Sequence, residues 1–285
     1  MIPAQNIVAW SSTAPWSEPR QVEQDLIISR ALVELFSDPF LRGELRFRGG
    51  TALNKLHFPR PQRYSEDIDL VRTTGGPIGP VLDQIRKILV PWLGRPRFDQ
   101  SDVAPKIRFR VQPEGEGAPI RIKIEINTRE REAYDPPVAK PFRVENPWFA
   151  GEAAIPTFSI EEMLATKLRA LLQRNKGRDL VDLSHALEVS PDLSAVRVVE
   201  LLGRYLALSE QTISRAQAEE RMFGKLERAD FLSDVPAAAH RRRGKSPRRY
   251  GGESDVHCRL HRLHSAAARR PMGERTGHDR ALRGR

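Results

Sequence analysis

The sequence predicts an α+β protein: an N-terminal α/β unit on a small mixed sheet, residues 1–156, then an α-helical unit, residues 157–236, and a basic tail, residues 237–285. Three observations lead there. Short stretches of apolar and polar alternation recur between residues 45 and 126, a helical apolar stripe precedes them, and every patterned segment after residue 159 has helical spacing.

After a lead-in containing Pro and Trp, residues 21–37 repeat Val22, Leu26, Ile27, Ala31, Leu32, Leu35 and Phe36 as one helical face. Leu45-Arg46-Phe47-Arg48 alternates as a strand and ends at Gly49-Gly50-Thr51, where Ala52, Leu53 and Leu56 predict a short helix. Residues 64–71 form the second predicted strand. Gly and Pro at 75–80 separate it from a helix over about 81–91 that carries Val81, Ile85, Ile88 and Leu89. Residues 107–111 and 120–126 alternate again, with Gly and Pro between them as in a hairpin. Ser159-Ile160-Glu161-Glu162 has the capping-box form that opens a helix, here running to about Gln173. Residues 175–178 make a turn, Asp179 is placed to cap a second helix through Leu187, and helical patterns resume over 194–207 and about 214–228. The active site is expected between the two units.

Of 285 residues, 47 are Lys or Arg and 37 Asp or Glu, a formal charge of +10. Residues 240–285 hold 14 of the bases and 4 of the acids, which leaves 33 of each sign in residues 1–239. A uniformly basic nucleic-acid-binding domain is thereby excluded, and any electrostatic footprint must come from local clustering. The single cysteine, Cys258, excludes an intrachain disulfide framework and a cysteine-pair zinc ribbon. The start lacks a signal-peptide pattern and no apolar run of about 18 residues occurs, so a cytoplasmic protein without membrane spans is expected.

Arg63-Tyr64-Ser65-Glu66-Asp67-Ile68-Asp69-Leu70 is the most informative segment. Strand alternation puts Ser65, Asp67 and Asp69 on one face, where two carboxylates at i and i+2 can share divalent cations. Mg²⁺ suits them as a hard ion that completes its octahedron with water and substrate phosphates. An isolated Asp-x-Asp is more often a solvated strand face. Here Gly49-Gly50-Thr51 lies upstream, a strand-to-helix turn whose bare backbone can approach a triphosphate. Glu125, in Lys123-Ile124-Glu125-Ile126-Asn127, offers a third acid on another strand face. Three such acids beside a glycine turn make a minimal phosphoryl-transfer site. Lys55, Arg60 and Arg63 in the intervening loop either approach an RNA backbone or face solvent. His57 and His185 have no ligand spacing and read as structural. His257, Cys258, His261 and His264 read as a chance collection in an Arg-rich stretch without a packed shell.

Arg48-Gly49-Gly50-Thr51-Ala52-Leu53-Asn54-Lys55 with Arg63 to Leu70 resembles the AbiEii/AbiGii-type nucleotidyltransferase toxins, a branch of the polymerase-β-like nucleotidyltransferase superfamily. A second block, Lys167 to Arg174 with Asn175-Lys176-Gly177-Arg178-Asp179-Leu180-Val181-Asp182-Leu183, extends the resemblance over most of residues 20–235. The resemblance implies a polymerase-β-like fold and a toxin of type IV toxin–antitoxin and abortive-infection systems, paired with a separately folded antitoxin. It further implies transfer of a nucleotide from an NTP to an RNA acceptor, the 3′ end of tRNA among them, with a two-metal Mg²⁺ site. Carried over by position, Asp67 and Asp69 hold metal with Glu125 as third acid. Gly49, Gly50, Thr51 and Ser65 meet the NTP phosphates, and Lys167 reaches a phosphate from the helical unit. Asp179 is the acid of the second block. From its spacing alone, Arg174 follows Lys167 by about two turns on a similar face and is expected to clamp the triphosphate, pair with Asp182, or both. Two alternatives remain open on the residues alone: transfer to a protein or small-molecule hydroxyl, and a non-catalytic nucleotide- or partner-binding module.

In residues 240–285 only Val256, Leu260, Leu263, Met272 and Leu282 are large and aliphatic, so this segment is expected to be disordered. A basic RNA-tethering arm and a change of reading frame after about residue 236 both account for it. The abrupt break in composition favours the frameshift.

Overall fold

The structure, a computed structural model, describes residues 2–99, 101, 103–231 and 233, so the expectations for the basic tail and its His and Cys residues lie outside the described residues. Helix α1 (Ala4–Trp10) leads into α2 (Pro19–Ser37), α3 (Pro39–Glu44) and strand β1 (Leu45–Arg48). A single helical turn, α4 (Gly49–Ala52), runs on into a π-turn over Leu53–His57. Then come β2 (Asp67–Arg72), α5 (Gly79–Leu93), β3 (Arg97–Asp99), β4 (Lys106–Val111), β5 (Ile120–Asn127), β6 (Val138–Asn146) and β7 (Phe149–Thr157). Four helices close the described chain: α6 (Ile160–Gln173), α7 (Gly177–Val189), α8 (Ala195–Ala207) and α9 (Arg215–Leu226).

The seven strands form one mixed sheet in the order β3-β4-β5-β2-β1-β7-β6. β2 pairs antiparallel with β1 and parallel with β5, and β1 pairs parallel with β7. The alternation predicted from sequence is realised in this sheet. Ile68 and Leu70 of β2 and Ile120, Ile122, Ile124 and Ile126 of β5 are buried, as are Leu26, Ile27, Leu32 and Leu35 of α2, so the apolar sides form one core. The opposite face of β2 and β5 carries Asp67, Asp69, Lys123 and Glu125, which keep some contact with solvent.

The second strand begins at Asp67 rather than Tyr64. Residues 63–65 are held by side-chain bonds instead of a ladder: Arg63 to Asp182, Tyr64 Oη to Gln24, and Ser65 to Thr51. Half of the capping box forms at α6. Ser159 Oγ accepts from Glu162 N at 3.1 Å. The buried Glu162 carboxylate instead accepts from Tyr134 N, Asp135 N and Tyr205 Oη at 2.7–3.1 Å, tying α6 to α8 and to the loop before β6. The sequence pattern gave no sign of β6 and β7. Both contain proline and expose most of one side, so their apolar alternation is weak. No helix among the described residues is long and apolar enough to cross a membrane.

Candidate active site

Asp67 and Asp69 stand on the open face of β2, and the parallel register with β5 sets Asp67 opposite Lys123 and Asp69 opposite Glu125. The Lys123 ammonium lies 3.0 Å from Asp67 Oδ2 and 3.3 Å from Glu125 Oε2, and Lys106 Nζ is 3.8 Å from Glu125 Oε2. Burial pushes the Asp69 carboxyl above its usual range, and the charges of Asp67 and Glu125 add to that, against Lys123 and Arg48. Burial acts to lower the Lys123 ammonium, but its hydrogen bond to Asp67 and the surrounding carboxylates hold it above its usual range.

The glycine turn abuts this face. Gly49 has φ +83°, and a Cβ there would stand 2.3 Å from Asp69 Oδ2, so glycine is required twice over. Gly50 faces the other way, where a Cβ would fall 2.0 Å from Arg63 Nη2. Thr51 donates to the Asp67 carbonyl at 2.5 Å and shares a 2.7 Å hydrogen bond with Ser65, which fixes the start of β2 against α4.

Behind Gly50 lies a buried ion network. Arg63 donates from Nε and Nη2 to Asp182 at 2.8 and 2.7 Å, Lys167 Nζ reaches Asp182 at 3.0 Å and Asp179 at 3.1 Å, and Arg174 makes two bonds to Asp179 at 2.8 and 2.9 Å. Burial drives both carboxyls upward. Arg174 and Lys167 at Asp179, and Lys167 and Arg63 at Asp182, overcome it and hold them below the usual range. Arg174 alone of the three cations is half-exposed, at 49% of its side chain.

The network corrects three expectations, and a separate ion pair corrects a fourth. Asp179 is no N-cap; Lys176 takes that position, and the Asp179 side chain turns inward to two cations. Arg174 pairs with Asp179 and not with Asp182. Arg63 neither faces solvent nor is free to meet RNA, being buried against Asp182. Lys55 is likewise engaged, at 2.9 Å from Asp25 Oδ1. Asp182, expected from sequence as a partner for Arg174, instead shares the inward face of α7 with Asp179 at i and i+3 and takes Arg63 and Lys167. A second tie, Glu130, accepts from Arg48 of β1 and Arg169 of α6 and had no sequence signal at all. The two histidines share one region: Phe58, next to His57, packs edge-on to His185 at 4.7 Å, and neither Nε2 has a hydrogen-bond partner.

A cleft of ≈380 Å³ joins these parts, with Arg48, Gly49, Asp69, Glu125, Lys167 and Arg174 among its walls. The donor chemistry fits a hard divalent cation at Asp67 and Asp69, because a carboxyl raised by burial and by a like charge is relieved by a cation. Among the described residues, however, no three Asp, Glu, His or Cys side chains converge on one point, and Lys123 stands between Asp67 and Glu125.

Paired carboxylates beside a glycine turn, with Lys167 and Arg174 in the wall of the same cleft, suit chemistry on a phosphoryl group, and the fold has known counterparts. MenT4, a nucleotidyltransferase toxin from Mycobacterium tuberculosis, superposes with a TM-score of 0.56 at 18% identity over 92% of this chain and 99% of its own. A candidate nucleotidyltransferase from H. pylori superposes at 0.53 with 15% identity, over 88% of this chain and 97% of its own. At these identities the likeness is one of fold. The sequence goes further, since residues 30–241 match the family described as nucleotidyl transferase AbiEii toxin of type IV toxin–antitoxin systems. The chain belongs to this family, and it is a nucleotidyltransferase whose family implies an NTP substrate and an antitoxin partner. No curated protein sequence matches it.

Proposed function

We propose that this chain is a cytoplasmic, Mg²⁺-dependent toxin that transfers NMP from an NTP to an RNA acceptor, the 3′ end of tRNA in particular, and is neutralised by an antitoxin encoded nearby. The single observation that carries the reading is the juxtaposition across Gly49 and Gly50: Asp67, Asp69 and Glu125 on the open sheet face, Lys167 and Arg174 beyond it. Residues 1–156 supply the acids and the turn, and residues 157–236 supply the cations.

Asp67 and Asp69 would hold Mg²⁺, with Glu125 a further carboxylate on the same face, and the ion when bound would activate the attacking hydroxyl and neutralise charge on the leaving pyrophosphate. Arg174, already pinned to Asp179 at one edge, presents its exposed edge to the triphosphate as a planar clamp. Lys167 contributes positive charge from within the wall, and Asp179 orients both cations. Thr51 and Ser65 brace the turn so that its backbone meets the phosphates at a fixed height.

RNA is favoured over a protein hydroxyl by a second cleft of ≈530 Å³ beside Thr51 and Ser65, lined by Trp16, Phe58, Phe142, Arg60 and Arg143. Aromatic rings interleaved with cations suit an unpaired nucleotide. The test is incubation of the protein with each α-labelled NTP, Mg²⁺ and total RNA. Label in a tRNA-sized band supports the reading, label only in protein or small molecules moves the acceptor, and no label with any acceptor overturns it.

A further inference from the structure

Asp67, Asp69, Lys123 and Glu125 make a square on the open sheet face, three corners acidic and the fourth a lysine directly opposite Asp67. The lysine is not there to satisfy a sealed interior, since its side chain is 27% exposed and that of Asp67 29%. Its ammonium sits at 3.0 Å from Asp67 Oδ2 and 3.3 Å from Glu125 Oε2, within reach of the oxygens that a cation shared by those acids would need. An ammonium is a compact point charge on a flexible stem, able to leave without disturbing the strand. A divalent cation and an ammonium compete for the same carboxylate oxygens and repel each other at that range.

We propose that Lys123 is the resident counter-ion of the metal site: it occupies the Asp67 and Glu125 edge in the free protein and lowers its affinity for divalent cations. Cation uptake is thereby tied to arrival of the triphosphate, whose negative charge offsets the repulsion. The proposal rests on the metal reading of Asp67 and Asp69 given above. Lys123 acts as a positioning residue, through the charge of the cluster rather than on the reacting atoms.

The test uses the full chain and Mn²⁺ as a paramagnetic probe, titrated without nucleotide and followed by electron paramagnetic resonance, for wild type, K123M, K123Q, K123R and D69N. Removing the competing charge should tighten Mn²⁺ binding by about tenfold in both neutral variants, a change of about 1.4 kcal/mol. K123R should stay near wild type, because it restores the charge. Mn²⁺ should also raise the melting temperature of K123M more than that of wild type, a readout independent of turnover. Neutral variants that bind Mn²⁺ no more tightly than wild type, while D69N loses binding, overturn the role of Lys123 and leave the metal reading standing. Absence of Mn²⁺ binding in wild type and K123M alike, even with a non-hydrolysable triphosphate added, overturns both.

Discussion

Arg63 and Asp182, 119 residues apart in the chain, meet through two hydrogen bonds laid against the backbone of Gly50. The pair joins the loop before β2 to α7 and is buried on both sides, with side-chain exposures of 5% and 0%. Losing Asp182 strands the Arg63 charge in a place that water does not reach, and losing Arg63 leaves the buried Asp182 with Lys167 as its remaining cation. Arg63→Ala or Asp182→Ala should therefore cost about 3–5 kcal/mol of stability, read from urea denaturation midpoints. Arg63→Lys keeps the charge but not the fork and should recover only part. A loss below about 1 kcal/mol for both alanine variants would remove the network from its structural role.

Gly49→Ala and Gly50→Ala should fail for different reasons. At Gly49 the added carbon meets Asp69 on a backbone with φ +83°, and at Gly50 it meets the Arg63 guanidinium. The first should chiefly lower transfer by displacing the carboxylate, at about 1 kcal/mol or more of strain. The second should chiefly lower the melting temperature. Transfer assays beside thermal melts separate them, and equal effects on both readouts would contradict the assignment.

Asp67→Asn and Asp69→Asn should each abolish nucleotide transfer while leaving the fold intact, since the isosteric amide removes one charge from a partly exposed face. Label incorporation at saturating Mg²⁺ is the measurement. Near-wild-type incorporation by either variant would defeat the proposed site.

Lys167 of α6 and Arg174 at its C-cap should separate binding from folding. Arg174 is half-exposed, so Arg174→Ala should raise KM for NTP at a stability cost of about 1 kcal/mol. Lys167 is buried between Asp179 and Asp182, so Lys167→Ala leaves two carboxylates short of charge and should cost about 3 kcal/mol besides its kinetic effect. Steady-state kinetics with denaturation of the same samples checks the split.

How far the site was legible differs by residue. Asp67, Asp69 and Glu125 could be found because strand alternation forces same-face carboxylates into view, and the β4–β5 hairpin and the helices from α6 to α9 followed from period and turn signals. The pairing of Arg63 with Asp182, and the tie through Glu130, could not, because these partners lie far apart in sequence and only the tertiary fold brings them together. Asp179 reads in sequence as a cap because its position relative to a helix start is local information, whereas the inward turn of its side chain to Lys167 and Arg174 depends on how α6 and α7 pack. Lys123 was visible as a polar residue on the strand face, but only the parallel register sets it opposite Asp67.

His57 gives a pH test away from the acids. Burial first, then the charge of Lys140, lowers its imidazole from 6.5 to about 4. Below pH 6.5 the unfolded chain takes up a proton that the folded one refuses, so the stability is fully present above that value and is lost as pH falls towards 4. The loss should reach about 2–3 kcal/mol. His185 shifts the same way. Denaturation at pH 7.5 and pH 5 should show His57→Gln less sensitive to acid than wild type, and an unchanged sensitivity would refute it.

Gly49 and Gly50, packed against Asp69 on one side and Arg63 on the other, act as a partition one backbone thick between the acids of the sheet face and the buried network of Arg63, Lys167 and Arg174 with Asp179 and Asp182. With no side chain to space them, a carboxylate and a guanidinium are held against opposite sides of one stretch of main chain. Any carbon added to that wall must push on one group or the other, so the thinness of the turn couples the acid cluster of the sheet to the ion network behind it.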